Sequence, residues 1–129
     1  MNNKYRHYAA PTLRIGISLV FLWFGLTNIF NPEMLLGYLP GFVYTLPIQA
    51  TTFMIINGIV ETLLAVLMLT GLFTRMSALL YGLHVLSIVF GVGYHDVAIR
   101  DFGLAVAAFA IFLYGPDQWT LDNKWRKVI

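Results

Sequence analysis

The apolar positions of this chain fall into four long runs, separated by short stretches that hold most of its proline and charge. A bilayer core about 30 Å thick is crossed by roughly 20 apolar helical residues. That length fits four times, at about residues 13–30, 51–72, 76–93 and 97–114. An open sheet could not satisfy its edges in lipid, and the chain is too short for a typical barrel. The pattern predicts an all-α membrane protein, a four-transmembrane-helix bundle forming a single membrane domain over residues 1–129.

The long connection lies between the first two runs. It opens with Asn31-Pro32-Glu33, which reads as an N-cap, a proline suited to the first helical position and an acid in the first turn. Leu35, Leu36, Tyr38, Leu39, Phe42 and Tyr44 follow, broken by Gly37, Pro40, Gly41 and Pro47. This predicts a short interfacial helix between spans 1 and 2, with its tyrosines at headgroup level. A lid over a pocket is the functional alternative for the same segment. The turn 70–75 is tight, so spans 2 and 3 are antiparallel neighbours.

Composition agrees with burial in lipid. Of the residues, 59% are hydrophobic and 11% charged, and the mean hydropathy is +0.75. A soluble domain of this size needs far more polar surface. The net charge of +2 sits mostly at the chain ends, in Lys4, Arg6, Lys124, Arg126 and Lys127. That is too little basic surface for a nucleic-acid groove, and lipid headgroups are the expected partner. Lys and Arg beside the spans cluster with both termini and at Arg75, so the positive-inside rule places both termini in the cytoplasm of a multi-pass plasma-membrane protein. The basic N-terminus before an apolar run resembles a signal peptide, but no small-residue cleavage site follows, and a retained first span is expected.

The chain has no cysteine, which removes disulfides, thiolate metal centres and covalent haem from its own chemistry. Five ionisable residues stand within the runs, and such groups are expensive in lipid. Arg14 lies at a span end and is expected to snorkel to headgroups. Glu61 and His84 fall near the middles of adjacent spans, Asn57 precedes Glu61 by one turn, and Arg100 and Asp101 enter near the start of span 4. With Trp23 on span 1, these residues could surround one volume. Three readings stay open: a closed network that sets helix register, a ligand pocket, and a proton or ion path. Whether Arg100 reaches Glu61 separates them. His84 has no second histidine at similar depth to complete a bis-histidine haem site, and no metal-binding, phosphate-binding or nucleophile motif occurs. Gly16, Gly25, Gly58, Ala65, Gly82, Gly103 and Ala107 are candidate points of close helix approach.

Four segments carry a family resemblance. They are Leu13-Arg14 followed by Phe21-Leu22-Trp23-Phe24-Gly25-Leu26-Thr27-Asn28-Ile29-Phe30; Gly58-Ile59-Val60-Glu61 leading to Leu69-Thr70-Gly71-Leu72-Phe73-Thr74-Arg75; Ile99-Arg100-Asp101-Phe102-Gly103-Leu104; and Tyr114-Gly115-Pro116-Asp117-Gln118-Trp119-Thr120-Leu121-Asp122. In this order and spacing the chain resembles the DoxX-like family of small four-helix membrane proteins. One departure is Asn28, where many members carry a lysine. The resemblance implies an integral membrane subunit associated with a quinone-linked redox or respiratory system. Trp23 would stack on the ring while Asn57, Glu61 or His84 bonds its carbonyls. Without cysteine, a haem-ligand pair or a flavin motif, such a subunit would need a partner subunit to carry electrons; other membrane subunits or a homo-oligomer are the expected partners. The alternative is a non-catalytic accessory or assembly subunit of a larger membrane complex.

Overall fold

A computed structural model describes residues 4–34, 41–92 and 96–128. The apolar runs wind into α1 (Arg6–Phe30), α2 (Ala50–Thr70), α3 (Thr74–Val92) and α4 (Asp96–Tyr114), followed by a short α5 (Leu121–Val128). No strand occurs among the described residues. The ends of α2, α3 and α4 follow the apolar runs closely. Helix α1 differs, because it starts upstream of Pro11 rather than after it. A proline inside a helix frees the carbonyl four residues before it, here that of His7, and Gln118 Nε2 donates to that oxygen at 3.4 Å.

The expected interfacial helix falls mostly on residues 35–40, which lie outside the described residues. Its described flanks are 3₁₀ turns, at residues 32–34 and at Gly41–Thr45.

Helix α1 packs on α2, α2 on α3, α3 on α4, and α4 back on α1. The centre is filled by Phe21, Leu64, Met68, Tyr81, Val85 and Ile111, with small Ala65, Ala78, Ala105 and Ala108 between them. The rings of Phe21 and Tyr81 lie parallel with centroids 3.7 Å apart. Helices α1 and α2 meet most intimately at Gly25 and Gly58. A Cβ on Gly58 would lie 2.7 Å from the Gly25 carbonyl and from Asn28 Cβ, so only glycine permits this approach. Gly16 and Gly103 differ from the expectation: a Cβ on either meets nothing within 4 Å, so they do not sit in a helix crossing of this chain.

The outward faces are apolar on every long helix, with Leu19 and Trp23 on α1, Ile59 and Leu63 on α2, Leu83 and Phe90 on α3, and Phe102 and Leu113 on α4 all exposed. Helices α1 and α2 are long and apolar enough to cross a membrane, and Thr74–Phe90 forms a shorter apolar helix. Only 28% and 33% of the best windows of α1 and α2 are buried within the chain. A core helix of a soluble protein would be covered on most of its surface.

At the end holding both termini, the helices are tied by a buried ion pair. Arg14 is 2% exposed, and its Nε donates to Asp117 Oδ2 at 2.7 Å. Its Nη1 donates to the carbonyls of Met68 and Leu69, the last turn of α2. A cation there completes orphan carbonyls and meets the negative end of the helix dipole. The snorkelling expected of Arg14 is therefore corrected, because a carboxylate from the tail makes burial more favourable than reaching for headgroups. The tail also caps α3. Asp122 accepts from the backbone N–H of Phe73 at 2.8 Å and of Thr74 at 2.7 Å, as a capping carboxylate does. Phe73 has φ 49°, an uncommon conformation for a bulky residue, held by these bonds and by Gly71 at φ 79° beside it. Thr120 packs so closely on Gly71 that any side chain there would collide.

Candidate functional site: a carboxylate beside an aromatic cavity

Glu61 lies near the middle of α2 with its side chain 6% exposed. A carboxylate so buried needs donors, and three converge on it from three helices. Asn28 Nδ2 on α1 donates to Oε2 at 2.9 Å. Asn57 Nδ2, one turn away on α2, donates to Oε1 at 3.0 Å. His84 Nε2 on α3 also lies 3.0 Å from Oε1. Asn28 reaches this position because the Gly25–Gly58 crossing brings α1 close to α2.

Beside this cluster the bundle opens into a cavity of about 180 Å³. Phe21, Phe24, Phe42, Phe53 and Tyr81 supply its aromatic walls, with Asn28, Asn57, Glu61 and His84 on one side. Phe42 comes from the 3₁₀ segment between α1 and α2 and packs edge-on against Phe53, centroids 6.4 Å apart. Arg100 and Asp101 also line the cavity from the first turns of α4. Arg100 Nη2 donates to Asp101 Oδ1 at 3.3 Å, and its guanidinium lies 5.1 Å from the Phe24 ring centre. That range suits a cation–π contact. An apolar cavity with a few convergent polar groups is the usual form of a small-molecule site.

A sequence model of the DoxX family matches residues 9–94. The chain belongs to the DoxX family. No curated protein and no solved structure matches it. In this DoxX-family membrane protein the matched region spans α1 to α3 and therefore includes Asn28, Asn57, Glu61 and His84, whereas Arg100, Asp101 and the Asp117–Asp122 tail lie beyond it.

Five of the six expected site residues, Asn57, Glu61, His84, Arg100 and Asp101, come to one cavity in this DoxX protein. Trp23 does not. It is 52% exposed on the outer face of α1, packed edge-on against Phe24, and Phe24 is the ring that faces inward. One residue of helix is about 100° of rotation, enough to move a side chain from lipid face to cavity. Arg100 does not reach Glu61, whose partners among the described residues are Asn28, Asn57 and His84. Asn28, noted in the sequence only as a departure from the family's lysine, was left out of the expected site, yet it is 3% exposed and bonds Glu61. Its signal was present, as an amide on the Phe21–Gly25–Asn28 face of α1. No group of three or more His, Cys, Asp or Glu that could hold a metal ion occurs among the described residues.

Proposed function

We propose that this chain crosses the membrane four times, with both termini cytoplasmic, and serves a quinone-linked membrane redox system as a subunit that holds a ring-shaped lipophilic ligand. The observation that carries the reading is the cavity itself. It joins aromatic walls to a buried carboxylate cluster. Its volume of about 180 Å³ suits a single substituted ring, since a cavity of about 150 Å³ already takes benzene. The four-span topology is supported by the apolar outward faces of α1 to α4 and by the inward placement of Glu61 and Arg14. Lipid tolerates ionisable side chains only where they face the bundle interior. The chain has no cysteine to hold a thiolate-ligated centre, and in this reading a partner subunit carries the electrons.

The purified protein in mild detergent is expected to bind a photoreactive azido-substituted benzoquinone. Labelling should fall on the Phe21–Asn28 or Phe42–Asn57 segments and be displaced by unmodified ring. His84→Ala should weaken that binding while leaving the helix content intact. Failure of the parent protein to bind any ring ligand would favour the second reading, a non-catalytic accessory or assembly subunit. That reading rests on a specific observation of its own: both oxygens of Glu61 already have donors, as in a network that sets helix register. Cysteines introduced at Asn3, Glu33 and Arg75 test the topology by impermeant labelling, with Glu33 alone expected to react from outside.

A further inference from the structure

Three segments meet at the end of the bundle that holds the termini: residues 4–14, the turn 70–75 and residues 115–128. Gln118 Nε2 donates to the His7 carbonyl at 3.4 Å, the rings of Tyr8 and Trp119 meet edge-on at 6.0 Å, and the Asp122 N–H donates to the Gly71 carbonyl at 3.0 Å. Of the eight Lys and Arg residues of the chain, all but Arg100 belong to these segments; of the six Asp and Glu, only Asp117 and Asp122 do. The fold withdraws both acids from the surface. Asp117 is 4% exposed, with Oδ2 on Arg14 and Oδ1 accepting from the Trp119 N–H at 2.9 Å. Asp122 turns both oxygens onto the start of α3, where they accept from Phe73 and Thr74. Among the described residues of this end, every exposed charged side chain is therefore a cation: Lys4, Arg6, Arg75 and Lys124. Exposed rings stand among them, those of Tyr5, Tyr8, Phe73, Trp119 and Trp125.

We propose that this end binds the headgroups of anionic phospholipids, and that lipid bound there stabilises the bundle through the tail. Lys and Arg beside an anionic leaflet gain from its surface potential, and Trp and Tyr settle at the same level with their rings toward the acyl chains. A zwitterionic headgroup offers no net charge to these cations. The sequence carried the surplus of cations, but only the fold shows that the acids beside them are spent within the protein. The spent acids also provide the coupling. Both belong to the tail, where Asp117 holds Arg14 of α1 and Asp122 caps α3. Lipid that fixes the tail against the membrane thereby fixes the ends of these helices. This surface rests on the membrane reading above and makes no use of the ring cavity.

The test uses the full chain carrying Trp23→Phe, which leaves Trp119 and Trp125 as its tryptophans. Phospholipids brominated on their acyl chains, added to detergent micelles of this protein, quench the tryptophans they touch. Brominated phosphatidylglycerol should associate at least about tenfold more strongly than brominated phosphatidylcholine, since each cation engaged contributes on the order of fivefold. That ratio should fall as salt is raised. Replacing Lys4, Arg6, Lys124, Arg126 and Lys127 together by Gln should bring it below about threefold. If that variant does not fold, the parent ratio and its salt dependence still decide. Phosphatidylglycerol should also raise the melting temperature of the helix signal above its value in phosphatidylcholine. In Asp122→Ala the quenching ratio should persist while that rise is lost. Equal quenching by the two lipids, or a ratio untouched in the Gln variant, overturns the surface and leaves ring binding standing. Release of phosphatidylglycerol by inorganic phosphate assigns the cations to a free anion and overturns the lipid. A melting rise that survives Asp122→Ala overturns the coupling through the tail. A chain that stays folded and dispersed without detergent overturns the membrane reading and this surface together.

Discussion

The two ends of the bundle each bury charge, and they do so differently. At the end holding the termini, Arg14 meets Asp117 and the last carbonyls of α2, with Thr74, Asp122 and Thr120 packed around the α2–α3 turn. Neither Arg14 nor Asp117 belongs to the lining of the aromatic cavity. Toward the other end, from the middle of α2 onward, Glu61 is held by Asn28, Asn57 and His84, yet an aromatic cavity opens directly beside it. The lesson is that burial of an ionisable group does not by itself mark a site. What separates them is whether space adjoins the satisfied group, so that something other than the protein can share it.

The comparison is broken or sharpened by four substitutions. The largest effect is expected for Asp117→Ala, which strands the Arg14 guanidinium in the protein interior. Removing one partner of a buried pair costs about 3–5 kcal/mol, and unfolding in detergent should show it as a large loss of thermal stability. Restoration by a second change, Arg14→Leu, would confirm that the loss comes from the stranded charge. An Asp117→Ala protein as stable as its parent would show that the pair is not the tie that holds this end.

Glu61→Gln keeps the shape and removes the charge at the other end. A smaller cost of about 1–3 kcal/mol is expected, since the amide cannot accept from all three donors at both of its ends. Binding of the ring probes should weaken along with it. A Glu61→Gln protein that lost stability like Asp117→Ala and bound rings unchanged would make the two ends alike, and both would then be structural.

Asp122→Ala removes the cap from α3 and should cost about 1 kcal/mol, seen as faster hydrogen exchange at the amides of Phe73 and Thr74. Unchanged exchange there would mean that the tail does not hold the turn in solution. The smallest effect belongs to Trp23→Ala. With its indole on the outward face, ring binding should stay within about twofold of the parent, because surface positions away from such features contribute little. A large loss of binding would move Trp23 into the cavity and overturn the assignment of Phe24 as the inward ring.

Hydrophobic run length alone determined that this chain is helical and where α2, α3 and α4 begin and end, because lipid leaves the backbone little choice but to bond within its own segment. The positions of Glu61, His84, Arg100 and Asp101 along their helices were likewise legible, since rise per residue is constant along a helix. The rotation of each helix about its axis was not legible. Four helices apolar on most faces carry a weak amphipathic signal, so nothing in the run around Trp23 and Phe24 says which ring turns inward. That was decided by the Gly25–Gly58 crossing, which sets the rotation of α1 against α2 and brings Asn28 to Glu61. The fate of Arg14 was also tertiary. Its partner stands on a tail more than a hundred positions along the chain, and only the closed bundle brings Asp117 beneath the end of α2, where a buried guanidinium is more favourable than one reaching for water.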